Sequence, residues 1–133
     1  VKQVFVDTVG FLAVWDEDDQ WHAPAELAWR RALSHRAVLV TTAYVLLECG
    51  NAVSRTPFRA DVDEMRRRLE RAKTLFHPTE ADWAQAWEHY ARHEAADAGI
   101  VDQVSFVIMR RLGITDVFSN DRHFKAAGFN TLF

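Results

Sequence analysis

Four acidic residues stand where short apolar runs end or where the next helix begins. Asp7 closes Val4-Phe5-Val6, and Glu48 lies in the stretch after Val38-Leu39-Val40. Asp102 opens the segment 101–112, and Asp121 follows the run 114–118. Carboxylates scattered in sequence but gathered at one edge of a sheet can hold divalent cations for phosphate chemistry. At a separation of ~5 Å and an effective dielectric of ~20, each like-charged pair would repel by roughly 3 kcal/mol. Such a pocket must take up protons or host a cation. An all-oxygen donor set favours hard ions, Mg²⁺ or Mn²⁺, over zinc. An ion of that kind acidifies a bound water and offsets charge on a phosphodiester, so no side-chain nucleophile is needed. Each acid also has a plainer use: Asp7 as a helix cap, Asp102 as a first-turn acid, Asp121 at the start of a short helix. Glu48 is harder to explain that way. It sits between Leu47 and Cys49, in a helix that also carries Val45, Leu46 and Val53, and a charge in apolar surroundings calls for a partner.

The positioning elements read as strands alternating with helices. Residues 3–7 form a buried strand and 11–15 a short helix, interrupted by the acidic turn Asp16-Glu17-Asp18-Asp19. Pro24 suits a first helical position, for a helix over 23–33. A strand at 38–41 leads to Thr42, a cap for a helix running towards Arg55. Thr56-Pro57 reads as a second helix start. Phe58, Val62, Met65, Leu69 and Ala72 then recur at steps of four and three, giving a helix over 57–73. A short strand at 75–77 follows. Thr79 to Asp82 resembles a capping box opening a helix that reaches about Glu94. Gly99 breaks the pattern before a helix over 101–112, which Gly113 ends. Last come a strand at 114–118, a short helix at 121–127 closed by Gly128, and a strand at 130–133. This alternation predicts a parallel sheet covered by helices on both faces. Sheets of that kind bind ligands beyond the carboxyl ends of their strands, where Asp7 and Asp121 fall.

Bulk properties are consistent with this reading. The 133 residues, 49% of them hydrophobic and 26% charged, suit one domain with one core. Cys49 is the single cysteine, which excludes an internal disulfide and suits a reducing, cytoplasmic setting. No signal peptide is evident, and no apolar run approaches the ~18 residues of a membrane helix. A net charge of −3 argues against a protein that coats nucleic acid through bulk positive charge. It is compatible with a nucleic-acid enzyme whose acids are concentrated at a metal site.

Four segments carry a family resemblance: Val4-Phe5-Val6-Asp7-Thr8; Thr41-Thr42 with Val45-Leu46-Leu47-Glu48; Val101-Asp102-Gln103-Val104-Ser105-Phe106; and Ser119-Asn120-Asp121-Arg122-His123-Phe124 with Ala127-Gly128-Phe129. Their order and spacing, over nearly the whole chain, resemble the PIN-domain family and most closely its VapC-type toxin ribonucleases. The resemblance implies a three-layer α/β/α sandwich with a central parallel sheet, formed by residues 1–133 as a single nuclease domain. It implies an endoribonuclease dependent on Mg²⁺ or Mn²⁺, with Asp7, Glu48, Asp102 and Asp121 as the acidic quartet that binds metal and activates water. By the same analogy, the Ser119 hydroxyl would orient Asp121 or a metal water, and Thr8 would do so for Asp7. It further implies a homodimer silenced by a small VapB-like antitoxin, a segment of which enters the acidic pocket.

Other residues admit lesser roles. His123, two positions past Asp121, could contact RNA or a metal-bound water, or simply pack. His89 and His93 have metal-ligand spacing but lack the HExxH pattern, which favours an exposed pair. Asp97 is a candidate fifth acid, Asp116 reads as a surface residue, and Cys49 as a small core residue. Arg66, Arg67, Arg68, Arg71 and Lys73 form a basic helix face, ordinarily solvated and alternatively an RNA-backbone surface. Trp83, Trp87 and Tyr90 suit a core or an interface. Trp15, Trp21 and Trp29 with Phe58 could build a dimer or antitoxin surface.

The function expected is therefore a metal-dependent endoribonuclease, the toxin of a toxin–antitoxin pair. The alternatives are a stand-alone PIN-domain ribonuclease and a catalytically silent metal- or partner-binding module. An aspartyl phosphotransfer protein using Asp7 is disfavoured, because position 9 is Val where a second Asp would stand.

Overall fold

A computed structural model describes residues 2–133. Val4, Phe5, Val6, Val40, Val117 and Phe118 are all essentially sealed from solvent. Strands without a polar face must be covered on both sides, which a parallel sheet with crossover helices achieves. Each such side chain contributes roughly 1.5–3 kcal/mol on burial. The chain order is β1 (Gln3–Val6), α1 (Thr8–Trp15), α2 (His22–Ser34), β2 (Val38–Thr42), α3 (Ala43–Ala52), α4 (Arg59–Ala72) and β3 (Leu75–Phe76). It continues through α5 (Glu80–Ala91), α6 (Glu94–Asp97), α7 (Ile100–Leu112), β4 (Asp116–Phe118), α8 (Arg122–Ala126) and β5 (Asn130–Thr131). The five strands run in the order β3-β2-β1-β4-β5, and every pairing among the described residues is parallel.

The topology locates the cleft. From β1 the chain steps outward through β2 to β3, then crosses back to β4 and steps outward to β5 on the other side. Right-handed crossovers put α1–α4 on one face and α5–α8 on the other, completing the expected α/β/α sandwich. Helix contacts follow this division: α1 meets α2 and α3, α3 meets α4, α5 packs along α7, and α8 meets α6 and α7. The strand order reverses between β1 and β4, so a crevice opens beyond the carboxyl ends of those two strands.

Local chemistry sets the element ends. Thr42 accepts the Val45 N–H at 3.2 Å and caps α3. Thr79 and Asp82 form the expected capping box on α5. Gly113, at φ +70°, closes α7 in the left-handed conformation that glycine tolerates.

Several expectations need correction. The first helix starts at Thr8 rather than residue 11, because Asp7 is an extended N-cap and its carbonyl already accepts the Phe11 N–H at 3.1 Å. Thr56 closes a turn instead of capping a helix: it donates to the Val53 carbonyl and accepts the Phe58 N–H, and α4 begins only at Arg59. Asp116 is buried, not superficial. It lies 2.7 Å from the Lys2 ammonium and accepts a bond from Asn130. Trp15 stacks on Phe11 and Trp29 meets Phe118 edge-on, so both belong to the packing around the core, while Trp21 remains exposed. Much of the basic face of α4 is occupied by acids on the same helix: Arg66 with Asp63 and Glu70, Arg67 with Asp63, Arg68 with Glu64.

Candidate metal centre

The site grows from the ends of β1 and β4. Asp7 follows β1 directly and is 2% exposed. Its Oδ2 accepts the Ser119 hydroxyl at 3.1 Å, and the Ser119 oxygen in turn accepts the Asp121 N–H at 3.0 Å. Ser119 thus fastens the carboxylate after β1 to the backbone after β4. Nearby, Gly10 lets α1 press against β4: a Cβ at that position would stand 2.1 Å from the Phe118 carbonyl oxygen. Sequence reading assigned Gly10 no role, since the close approach joins segments over a hundred residues apart.

The other walls come from three helices. Glu48 on α3 accepts the Thr8 hydroxyl at 2.6 Å. Thr8 therefore serves Glu48 with its side chain, not Asp7 as the resemblance implied. Glu48 is also exposed rather than embedded among apolar groups, because Leu47 beside it faces water as well. Asp102 lies in the first turn of α7, half-buried. Asp121 caps α8, its Oδ1 accepting the His123 N–H at 2.8 Å, with the His123 Nδ1 2.9 Å from the same oxygen. One ligand atom from each of Asp102, Asp121 and His123 falls within 4.8 Å of the other two. Asp97, the candidate fifth acid, is exposed and bonded to His93. His89 bonds Glu94. Neither histidine joins the trio.

The electrostatics show what this arrangement lacks. Burial pushes the Asp7 carboxyl up to about 7 against the opposing bonds from Thr8 and Ser119, and the charges of Asp121 and Glu48 add to the rise. Burial, followed by the charges of Asp7, Asp121 and Glu48, pushes Asp102 up to about 8. Cys49, buried behind them, is driven up to about 12 by burial and by the same acids, Asp7 and Glu48. Among the described residues no lysine or arginine pairs with any of the four carboxylates. The donor set is oxygen-rich, with one imidazole, and its charge is uncompensated. Those properties fit a hard divalent cation.

In the sequence, Gln103 stands out only as part of the segment 101–106. Its amide donates to the carbonyls of Glu94 at 2.9 Å and Ala98 at 3.4 Å. It thereby pins a connection in which His93, Ala95, Ala96 and Asp97 all have left-handed φ, 56–62°, at roughly 1–2 kcal/mol each. That connection leads directly into the turn holding Asp102.

Fold and site together define an α/β protein with an acidic cleft at the switch point of a parallel sheet. The PIN-domain profile matches residues 4–130, and the chain belongs to that family. It is similar to the 23S rRNA-specific endonuclease VapC20 of Mycobacterium tuberculosis, at 34% identity over 127 residues, 95% of each chain. The crystal structure of that protein, described as a sarcin-ricin loop cleaving toxin, superposes with a TM-score of 0.75 at 29% identity, covering 95% of each chain. FitAcB from Neisseria gonorrhoeae shares the fold, with a TM-score of 0.63 at 17% identity, covering 98% of this chain and 96% of that one.

Proposed function

We propose that this chain, as a single PIN-type domain, is an endoribonuclease dependent on Mg²⁺ or Mn²⁺ and the toxin of a toxin–antitoxin pair. The observation that carries the reading is the uncompensated carboxylate cluster at the β1/β4 crevice, in a chain 34% identical to a 23S rRNA-specific endonuclease. Asp7, Glu48, Asp102 and Asp121 would hold the ion. When bound, such an ion supplies charge neutralisation at the phosphate and a more acidic water. The chain contributes placement. Ser119 fixes Asp7 relative to Asp121, Thr8 fixes Glu48, the first turn of α7 carries Asp102, and Asp121 is itself the N-cap of α8. Oriented donors on such supports reduce the entropy lost when substrate and water are brought together.

The test is cleavage of a 23S rRNA sarcin-ricin hairpin, alongside total RNA, by the purified chain free of other proteins. Cleavage should require Mg²⁺ or Mn²⁺ and stop with EDTA. Metal-independent cleavage, or metal binding without cleavage of any RNA, would overturn the reading.

Two surfaces support the partner assignments. A groove of about 1180 Å³ between α3 and α4 is lined by Leu46, Leu47, Val62 and Leu75, with Arg59 and Glu70 among its charged residues. It suits an amphipathic antitoxin segment. Tyr44, Trp83, Trp87 and Tyr90 form an edge-to-face ladder with centroids 6.2, 5.8 and 5.2 Å apart. The last three of these rings are 39–48% exposed, and a second copy of the chain is the assigned cover. No helix among the described residues is long and apolar enough to cross a membrane.

A further inference from the structure

His123 acquires a specific role if the cleft holds a divalent ion, as proposed above. The four acids are not equivalent in geometry. Asp7 and Glu48 are each engaged by a hydroxyl, from Ser119 and Thr8. The tight ligand trio is instead Asp102, Asp121 and His123, and no other set of three carboxylate, imidazole or thiol ligands among the described residues converges in this way. Two neighbouring ligands on an octahedral ion with bonds of ~2.1 Å stand ~3 Å apart, and opposite ligands stand ~4.2 Å apart. The 2.9 Å between His123 Nδ1 and Asp121 Oδ1 matches the first spacing. Asp102 places a carboxylate oxygen within 4.8 Å of a ligand atom on each of these two residues. Asp121 Oδ1 already accepts the His123 backbone N–H, so the imidazole is not needed to hold that carboxylate in its cap.

We propose that His123 is a direct nitrogen ligand of the ion, on the Asp102–Asp121 side of the cleft, and that it biases the site towards Mn²⁺ over Mg²⁺. Imidazole nitrogen suits transition-metal ions, whereas Mg²⁺ favours oxygen ligands and keeps several waters. The competing role is a positioning one, with the ring only donating a hydrogen bond to Asp121. Affinity alone does not separate the two, since loss of a ligand's hydrogen-bonding partner also costs ~10–100-fold in metal binding. Direct detection of the nitrogen does.

The experiment uses untagged protein stripped with EDTA and loaded with Mn²⁺ alone, read by pulsed electron paramagnetic resonance. Directly bound imidazole nitrogen should modulate the Mn²⁺ echo. His123→Gln should abolish the modulation, and His89→Gln should leave it intact. Competition calorimetry on His123→Gln should show the Mn²⁺-over-Mg²⁺ preference falling by about tenfold. Mn²⁺ bound without nitrogen modulation, or modulation that survives His123→Gln, overturns the role of His123 and leaves the metal-dependent reading standing. Absence of Mn²⁺ binding overturns both.

Discussion

Asp7 and Asp82 are equally hidden, 2% and 3% exposed, and meet opposite electrostatic fates. Burial is the largest influence on each. At Asp82 it is outweighed by Arg111, bonded at 3.0 and 2.8 Å, and by the N-terminal cap of α5, which leave the carboxyl below its usual range. Asp7 has a serine and a backbone N–H but no cation, and ends near neutrality. One carboxylate is built with its counter-charge included. The other is built without one, among further acids. A buried acid that lacks a resident cation while its neighbours repel it is the arrangement that the proposed divalent ion would complete.

Substitutions should separate these two kinds of acid. The largest effect expected is on catalysis: Asp102→Asn should reduce metal-dependent RNA cleavage by on the order of 10³-fold while leaving the circular dichroism spectrum unchanged. Asp82→Asn should leave the rate within about twofold. Equal losses in the two variants would erase the distinction.

The pH response comes next. Asp7 and Asp102 have folded-state pKa values of about 7 and 8, above the ordinary value of 3.8. The folded state therefore holds protons that the unfolded chain releases, and stability falls as pH rises. That contribution is complete below pH ~4 and is lost as pH climbs towards ~8. Asp82, lowered, works in the opposite direction: its contribution is present above pH ~4 and is lost in acid. Thermal melts of the EDTA-treated protein should show Tm declining from pH ~5 to ~8. Asp7→Asn should flatten the decline, and Mn²⁺ should reverse it at the alkaline end, where the ligands are deprotonated.

Gly10→Ala tests the cleft's wall. The added Cβ would strike the Phe118 carbonyl, so denaturant unfolding should show a loss of about 3 kcal/mol. Asp82→Asn should cost about 2 kcal/mol in the same assay, less than a fully buried pair would, because Arg111 is partly solvated. The smallest effect is a gain. Ala96 sits at φ +56°, so Ala96→Gly should raise stability by about 1 kcal/mol without altering metal affinity.

How much of this was legible in the sequence depends on the range of the interaction. The parallel sheet, the capping box at Thr79 and the glycine closing α7 rest on local pattern and are visible in a dozen residues. Asp7 and Asp121 could be placed at strand ends, and Glu48 and Asp102 on helices near them, by the same means. Whether they converge, and with which hydroxyl each is paired, depends on contacts such as Ser119 to Asp7 across the sheet, which no local pattern encodes. Glu48 misled because Val45, Leu46 and Cys49 turn into the core, while Leu47 and Glu48 itself face water. Asp116 misled because its partner, Lys2, approaches from the residue just before the neighbouring strand β1. The left-handed residues between His93 and Asp97 include no glycine to announce them, and they are held by the Gln103 amide bonds together with the His89–Glu94 and His93–Asp97 contacts.

Cys49 offers a use beyond packing. With its thiol near 12, only about one molecule in 10⁵ carries the thiolate at pH 7, so alkylating reagents should ignore the folded chain. Any labelling would report transient opening of the α3 side of the cleft, and its rate would serve as an intrinsic clock for how often that wall breathes.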